Sequence, residues 1–92
     1  MLQPSYVKQF RKDLKRIEKS GSKDTEKLKA VIMLLIDEKQ LPAHYKNHSL
    51  SGNFNNRYEC HIEPDWLLIY KINKKAGEVV FERTGSHSDI FG

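Results

Sequence analysis

The spacing of apolar residues changes half-way along this chain, and that change constrains the fold more than any other feature. Up to Glu38 the apolar side chains recur at helical spacing; from Arg57 onward they alternate or run together as in strands. The segment between, Gln40 to Asn56, keeps no period and is rich in Asn, Ser, Pro and His, so it reads as loop. Helices first and a meander afterwards predict an α+β fold: an N-terminal helical hairpin packed on a small, mostly antiparallel sheet. The 92 residues suffice for one domain, over 1–92, with a modest core.

Ser5 to Ser20 is the most two-sided segment. At about 100° per residue, Tyr6, Val7, Phe10, Leu14 and Ile17 share one side, and Lys8, Arg11, Lys12, Lys15, Arg16 and Lys19 lie opposite. Such a helix turns an apolar stripe to a core and a basic stripe outward. Pro4 before it and Ser20-Gly21-Ser22 after it mark its ends. A second helix is expected over Lys23 to Glu38, with Leu28, Val31, Ile32 and Leu35 as its stripe. Met33, Leu34 and Ile36 spread apolar surface around its last turns. The short turn between the two helices predicts an antiparallel pair.

Three strands are expected after the loop. Arg57 to Ile62 alternates Tyr58, Cys60 and Ile62 against Arg57, Glu59 and His61. Trp66 to Ile72 is a more buried run, Asn73 to Gly77 a turn, and Glu78 to Thr84 the third strand. Met1 to Gln3 fits a short edge strand.

The chain carries 16 Lys plus Arg against 12 Asp plus Glu. The whole excess of +4 sits between Ser5 and Ser20, and the remainder balances. A one-sided excess of this kind points to a polyanion. Cys60 is the only cysteine, so no intrachain disulfide forms, which suits a reducing compartment. No apolar run nears the roughly 20 residues of a membrane span, and Met1-Leu2-Gln3-Pro4 lacks a signal-peptide core. These features predict a cytoplasmic protein with no membrane contact.

Of four histidines, His44, His48, His61 and His87, three fall in loops or at strand ends, where a sheet can present them. Asp65 follows His61 across Pro64, and Arg83 precedes His87 across Thr84-Gly85-Ser86. Imidazoles serve as acid or base near neutral pH, and a guanidinium neutralises charge on a reacting phosphate. These are the ingredients of phosphodiester cleavage without a metal. RNA brings its own nucleophile, the 2′-hydroxyl. His61 and Asp65 lack Cys-x-x-Cys or His-Glu-x-x-His partners, so no metal or other cofactor is expected. On its strand Trp66 reads first as core, and Cys60 as a small buried hydrophobe.

Taken in order, three runs combine: His48-x-Leu50-x-Gly52; Arg57 and His61 leading to Pro64-Asp65-Trp66-Leu-Leu-Ile-Tyr70; and Arg83-x-Gly85-x-His87-x-x-x-Phe91. The combination resembles the YafQ branch of the RelE/ParE toxin superfamily. The likeness spans the chain, with the specific motifs from Leu41 onward and only the layout matching before it. It implies a RelE-like fold and a type II toxin that cuts mRNA in the decoding site of the ribosome. It places His48, His61, Asp65, Arg83 and His87 at the cleavage site, with Trp66 and Phe91 positioning the RNA. His87 would be the general acid and His48 the leading general base. His61 and Asp65 would orient or share the base's work, and Arg83 would stabilise the growing phosphate charge.

The resemblance also implies partners. Lys8, Arg11, Lys12, Lys15, Arg16 and Lys19 become phosphate contacts to ribosomal RNA. An acidic, DinJ-like antitoxin with a ribbon-helix-helix end would silence the toxin. Two other readings are weighed. One is a non-nucleolytic, ParE-like poison of DNA gyrase, and the other is a plain RNA-binding module. The presence of His48, His61 and His87 together argues against the first, and cleavage of an mRNA with and without ribosomes would separate the second.

Overall fold

Tyr6 and Val7 do not join the first helix. Gln3–Tyr6 forms strand β1, paired in parallel with residues 78 to 81, and the Val7 N–H donates to the Phe81 carbonyl (3.2 Å). The apolar pair Tyr6 and Val7 fits a helical wheel and a strand end equally well; a long-range ladder decides for the strand. The expected edge strand therefore lies at Gln3–Tyr6 rather than Met1 to Gln3. Pro4 is tolerated there because β1 is an edge strand.

The computed structural model describes residues 1–50 and 56–92. Positions 51–55, which include Gly52 of the His-x-Leu-x-Gly run and part of the expected loop, lie outside the described residues. After β1 come helices α1 (Lys8–Ser20) and α2 (Thr25–Ile36), a 3-10 turn (Ala43–Tyr45), and strands β2 (His48–Ser49), β3 (Arg57–Glu63), β4 (Trp66–Asn73) and β5 (Glu78–Gly85). A short helix, α3 (His87–Phe91), follows. The sheet order is β1-β5-β4-β3-β2, antiparallel except for β1 with β5.

Local chemistry sets the helix ends. Gly21 takes the left-handed conformation that closes α1, its N–H donating to the Ile17 carbonyl (3.3 Å). Asp24 caps α2 by accepting from the Glu26 N–H (3.0 Å). Ser86 and Asp89 form a reciprocal capping box on α3.

Helix α1 lies over β5 and α2 over β3. Phe10 and Ile17 of α1 and Leu28, Val31, Ile32 and Leu35 of α2 meet Cys60, Ile62, Trp66, Leu68, Tyr70, Val79 and Phe81 of the sheet in one core. Each large apolar side chain fully buried this way contributes about 1.5–3 kcal/mol. Alternation along the same strands sends Glu59, His61, Leu67 and Ile69 to the opposite face. That opposite face carries the chemistry.

Candidate active site

Register explains how scattered sequence positions meet. His48 of β2 pairs with Glu59, Glu59 with Ile69, and Ile69 with Arg83, so these residues form a row across the sheet. His61, Leu67 and Gly85 form the next row. Helix α3 leaves β5 immediately after Gly85 and begins at His87.

The imidazoles line up as a result. The rings of His48 and His61 stand 6.4 Å apart, those of His61 and His87 6.0 Å, and Phe91 follows His87 at 6.3 Å. Each ring is held. The Lys46 carbonyl lies 2.8 Å from His48 Nδ1. A carbonyl only accepts, so Nδ1 is the donor and a neutral ring keeps its lone pair on Nε2. His61 Nδ1 meets the Pro64 carbonyl at 3.2 Å. Asp65 Oδ1 accepts from both the backbone N–H and Nδ1 of His87, each at 3.1 Å. Those two bonds, the backbone one the stronger influence, hold the Asp65 carboxyl below the usual aspartate range.

Glu59 is not singled out by its sequence, where it is one polar residue of an alternating strand. Its side chain is only 8% exposed, and its Oε1 lies 3.3 Å from His61 Nε2 and 3.9 Å from His48 Nε2. A carboxylate between two imidazoles belongs to the site; the signal available in sequence is its phase, shared with His61 two residues on.

Arg83 enters from the β5 side. Its Nε donates to Asp13 Oδ2 (2.8 Å) and its Nη2 to Asp13 Oδ1 (3.4 Å) and the Asp89 carbonyl (3.3 Å). Arg16 differs from its five cationic neighbours on α1. It pairs with Asp13 (3.1 Å) and Asp89 (3.6 Å), whereas Lys8, Arg11, Lys12, Lys15 and Lys19 are exposed and form no ion pair among the described residues. The Arg16 charge is thus turned toward the site's scaffold. Gly85, at φ +153°, lies under this bridge; a Cβ there would meet Arg16 Nη2 at 2.9 Å.

Trp66 corrects one expectation. It is 1% exposed, and its indole N–H donates to Thr84 Oγ1 (2.9 Å). It has no surface to offer RNA; it fixes the start of β4 from beneath, next to Asp65. Phe91 is 46% exposed. His44 stands apart from the row, packed on Tyr45 with ring centres 4.0 Å apart. It shares a shallow hollow with Lys27, Lys46 and His61. A cleft of about 480 Å³ between α1 and α2 is lined by Phe10, Leu14, Leu28, Ile32 and Met33 and by no histidine. Among the described residues no group of three His, Cys, Asp or Glu side chains is placed to hold a metal ion, and no helix is long and apolar enough to cross a membrane.

Residues 2–92 match the family model for YafQ, the bacterial toxin of a type II toxin–antitoxin system. The chain belongs to the YafQ toxin family. It is 46% identical over 88 residues to the mRNA interferase toxin YafQ of Escherichia coli, spanning 95% of this chain and 92% of that one. Its fold matches the toxin in the crystal structure of the E. coli DinJ–YafQ complex, with a TM-score of 0.90, 43% identity and full coverage of both chains. A metal-bound toxin from Helicobacter pylori matches at a TM-score of 0.92 and 40% identity, over 99% of this chain and all of that one. The RelE-like α+β expectation is met by these structures.

Proposed function

We propose that this YafQ-family toxin is an mRNA interferase, a single-domain endoribonuclease that cuts mRNA in the decoding site of the ribosome without a metal. The row of imidazoles across one sheet face carries the reading. His61 stands between His48 and His87, 6.4 Å from one ring and 6.0 Å from the other, and a 2′-hydroxyl reaction needs one group to take a proton while another gives one. His48 Nε2, basic in the tautomer its Nδ1 contact selects, takes the 2′-hydroxyl proton. Glu59 and His61 hold that end of the row. His87, oriented through Nδ1 by Asp65, offers Nε2–H to the departing 5′-oxygen. Arg83 meets the charge that grows on the phosphate, and Phe91 stacks a base.

Exposed Lys8, Arg11, Lys12, Lys15 and Lys19 are the contacts to ribosomal phosphates. A cytoplasmic setting supplies both ribosomes and a DinJ-like acidic antitoxin. The kinship with a toxin crystallised together with DinJ supports that partner. A gyrase poison or a passive RNA-binding module has no use for such a row.

Single-turnover cleavage of a programmed ribosome complex, with end-group analysis, tests the reading. His87→Ala should lose about 10²- to 10⁴-fold in rate while still binding ribosomes. Products should carry a 2′,3′-cyclic phosphate or 3′-phosphate and a 5′-hydroxyl. Near-normal cleavage by His87→Ala, or a 5′-phosphate product, would overturn it.

A further inference from the structure

Asp13 is a carboxylate with no exposed surface, in the middle of a helix whose remaining polar face is basic. Burying a charge is costly unless it is fully hydrogen-bonded. Here Oδ2 accepts from Arg83 Nε (2.8 Å) and the Thr84 N–H (3.1 Å). Oδ1 accepts from Arg16 (3.1 Å), Gln9 (3.2 Å) and Arg83 Nη2 (3.4 Å). Strand β1 pairs with β5 only as far as Phe81, so among the described residues no strand covers the edge of β5 beyond it. Asp13 supplies the acceptor that the Thr84 N–H would otherwise find in a neighbouring strand. The same carboxylate grips the Nε edge of Arg83, and Arg83 in turn ties the Asp89 carbonyl of α3, the helix that carries His87 and Phe91.

We propose that Asp13 is a positioning residue for cleavage, acting through Arg83. It fixes the guanidinium by its Nε and Nη2 side, so that Nη1, which makes no hydrogen bond among the described residues, faces the scissile phosphate. The inference rests on the cleavage reading above and adds to it a residue from the far side of the sheet edge. An arginine on a strand's free edge would sample many rotamers; a bidentate carboxylate removes that freedom before substrate arrives. Asp13 touches neither RNA nor the reacting atoms.

The test is a double-mutant cycle in single-turnover cleavage on programmed ribosomes, with Asp13→Asn, Arg83→Ala and the pair. Asn keeps an acceptor for the Thr84 N–H and loses the charge that holds Arg83. Asp13→Asn should lower the single-turnover rate constant about 10- to 100-fold, with the ribosome concentration for half-saturation within about twofold. It should cost nothing further in the Arg83→Ala background. An equal loss in both backgrounds would show a purely structural role and overturn the proposal. So would full activity of Asp13→Asn alongside a damaged Arg83→Ala. An active Arg83→Ala would instead overturn the cleavage reading beneath it. A measurement on the unaltered toxin needs no variant to fold: the Arg83 Nε–H should give a slowly exchanging, ordered NMR signal. A mobile, fast-exchanging one would sink the idea.

Discussion

The two faces of the central sheet are built from the same strands and do opposite things. Toward the helices, Trp66, Leu68 and Tyr70 of β4 and Phe81 of β5 are sealed in the core. One residue out of phase, Glu59, His61 and Ile69 line the other face beside His48, and a register shift between Phe81 and Arg83 brings Arg83 into the same row. The first face holds its shape by packing, which tolerates no gap. The second holds its shape by hydrogen bonds to each ring, leaving the outer edges of His48 and His87 accessible. Neighbouring residues in sequence therefore have different jobs, and a one-residue slip of register would exchange core for site.

Substitutions on each face can break or sharpen that contrast. Trp66→Ala should cost about 3–5 kcal/mol of stability, because it opens a cavity and removes the indole N–H donor from Thr84 Oγ1, which keeps only its bond to the Leu67 carbonyl. Urea denaturation gives the number, and a loss under about 1 kcal/mol would mean the indole is not the core anchor described. Glu59→Gln, on the other face, should leave the melting midpoint nearly unchanged. It should slow single-turnover cleavage about 10²-fold, since the amide no longer presents a charge to His48 and His61. A large drop in stability with unchanged rate would place Glu59 on the structural side of the divide.

Much of the contrast is legible in the sequence. The alternation of Tyr58, Cys60 and Ile62 against Arg57, Glu59 and His61 is enough to assign both faces of β3. The motif runs name the imidazoles that stand in a row. Three things stay hidden. Tyr6 looks helical because the pairing of β1 with β5 is non-local, and local period cannot report a partner far along the chain. His87–Phe91 is too short for a periodic signal, although Ser86 and Asp89 hold a capping box in plain text. Asp13 reads as one anion among cations. Only the free edge of β5 reveals why a carboxylate is wanted there.

Acid should separate the faces again. Burial pushes the Asp13 carboxyl up, but hydrogen bonds from Arg83, Thr84, Gln9 and Arg16 outweigh it and hold the group below its ordinary 3.8. A carboxyl depressed in the folded state stabilises the fold above its unfolded value and loses that contribution as pH falls through the folded one. Asp65 and Asp89 are also depressed and act in the same direction. Urea midpoints should therefore fall from about pH 5 to about pH 3, and fall less steeply in Asp13→Asn. Equal slopes would remove Asp13 from the account.

The smallest effect belongs to the exposed helix surface. Reversing charge at Lys12, Lys15 and Lys19 should change stability by under about 0.5 kcal/mol per site. Co-sedimentation with ribosomes should nonetheless weaken, and its dependence on salt should flatten. Unchanged co-sedimentation across a salt series would take this helix out of the interface.

Among the described residues strand β1 pairs with β5 alone, and Asp13 meets the Thr84 N–H across 71 positions of chain. Contacts that distant close a large loop before they return any energy, so they form late and slowly. During synthesis, α1 must wait for β5 to leave the exit tunnel before its buried carboxylate can hold Arg83 and Thr84. The imidazole row waits for the same strand, because His87 follows β5 directly. The partners of Asp13 and the last ring of the row therefore become available together, only once β5 has emerged.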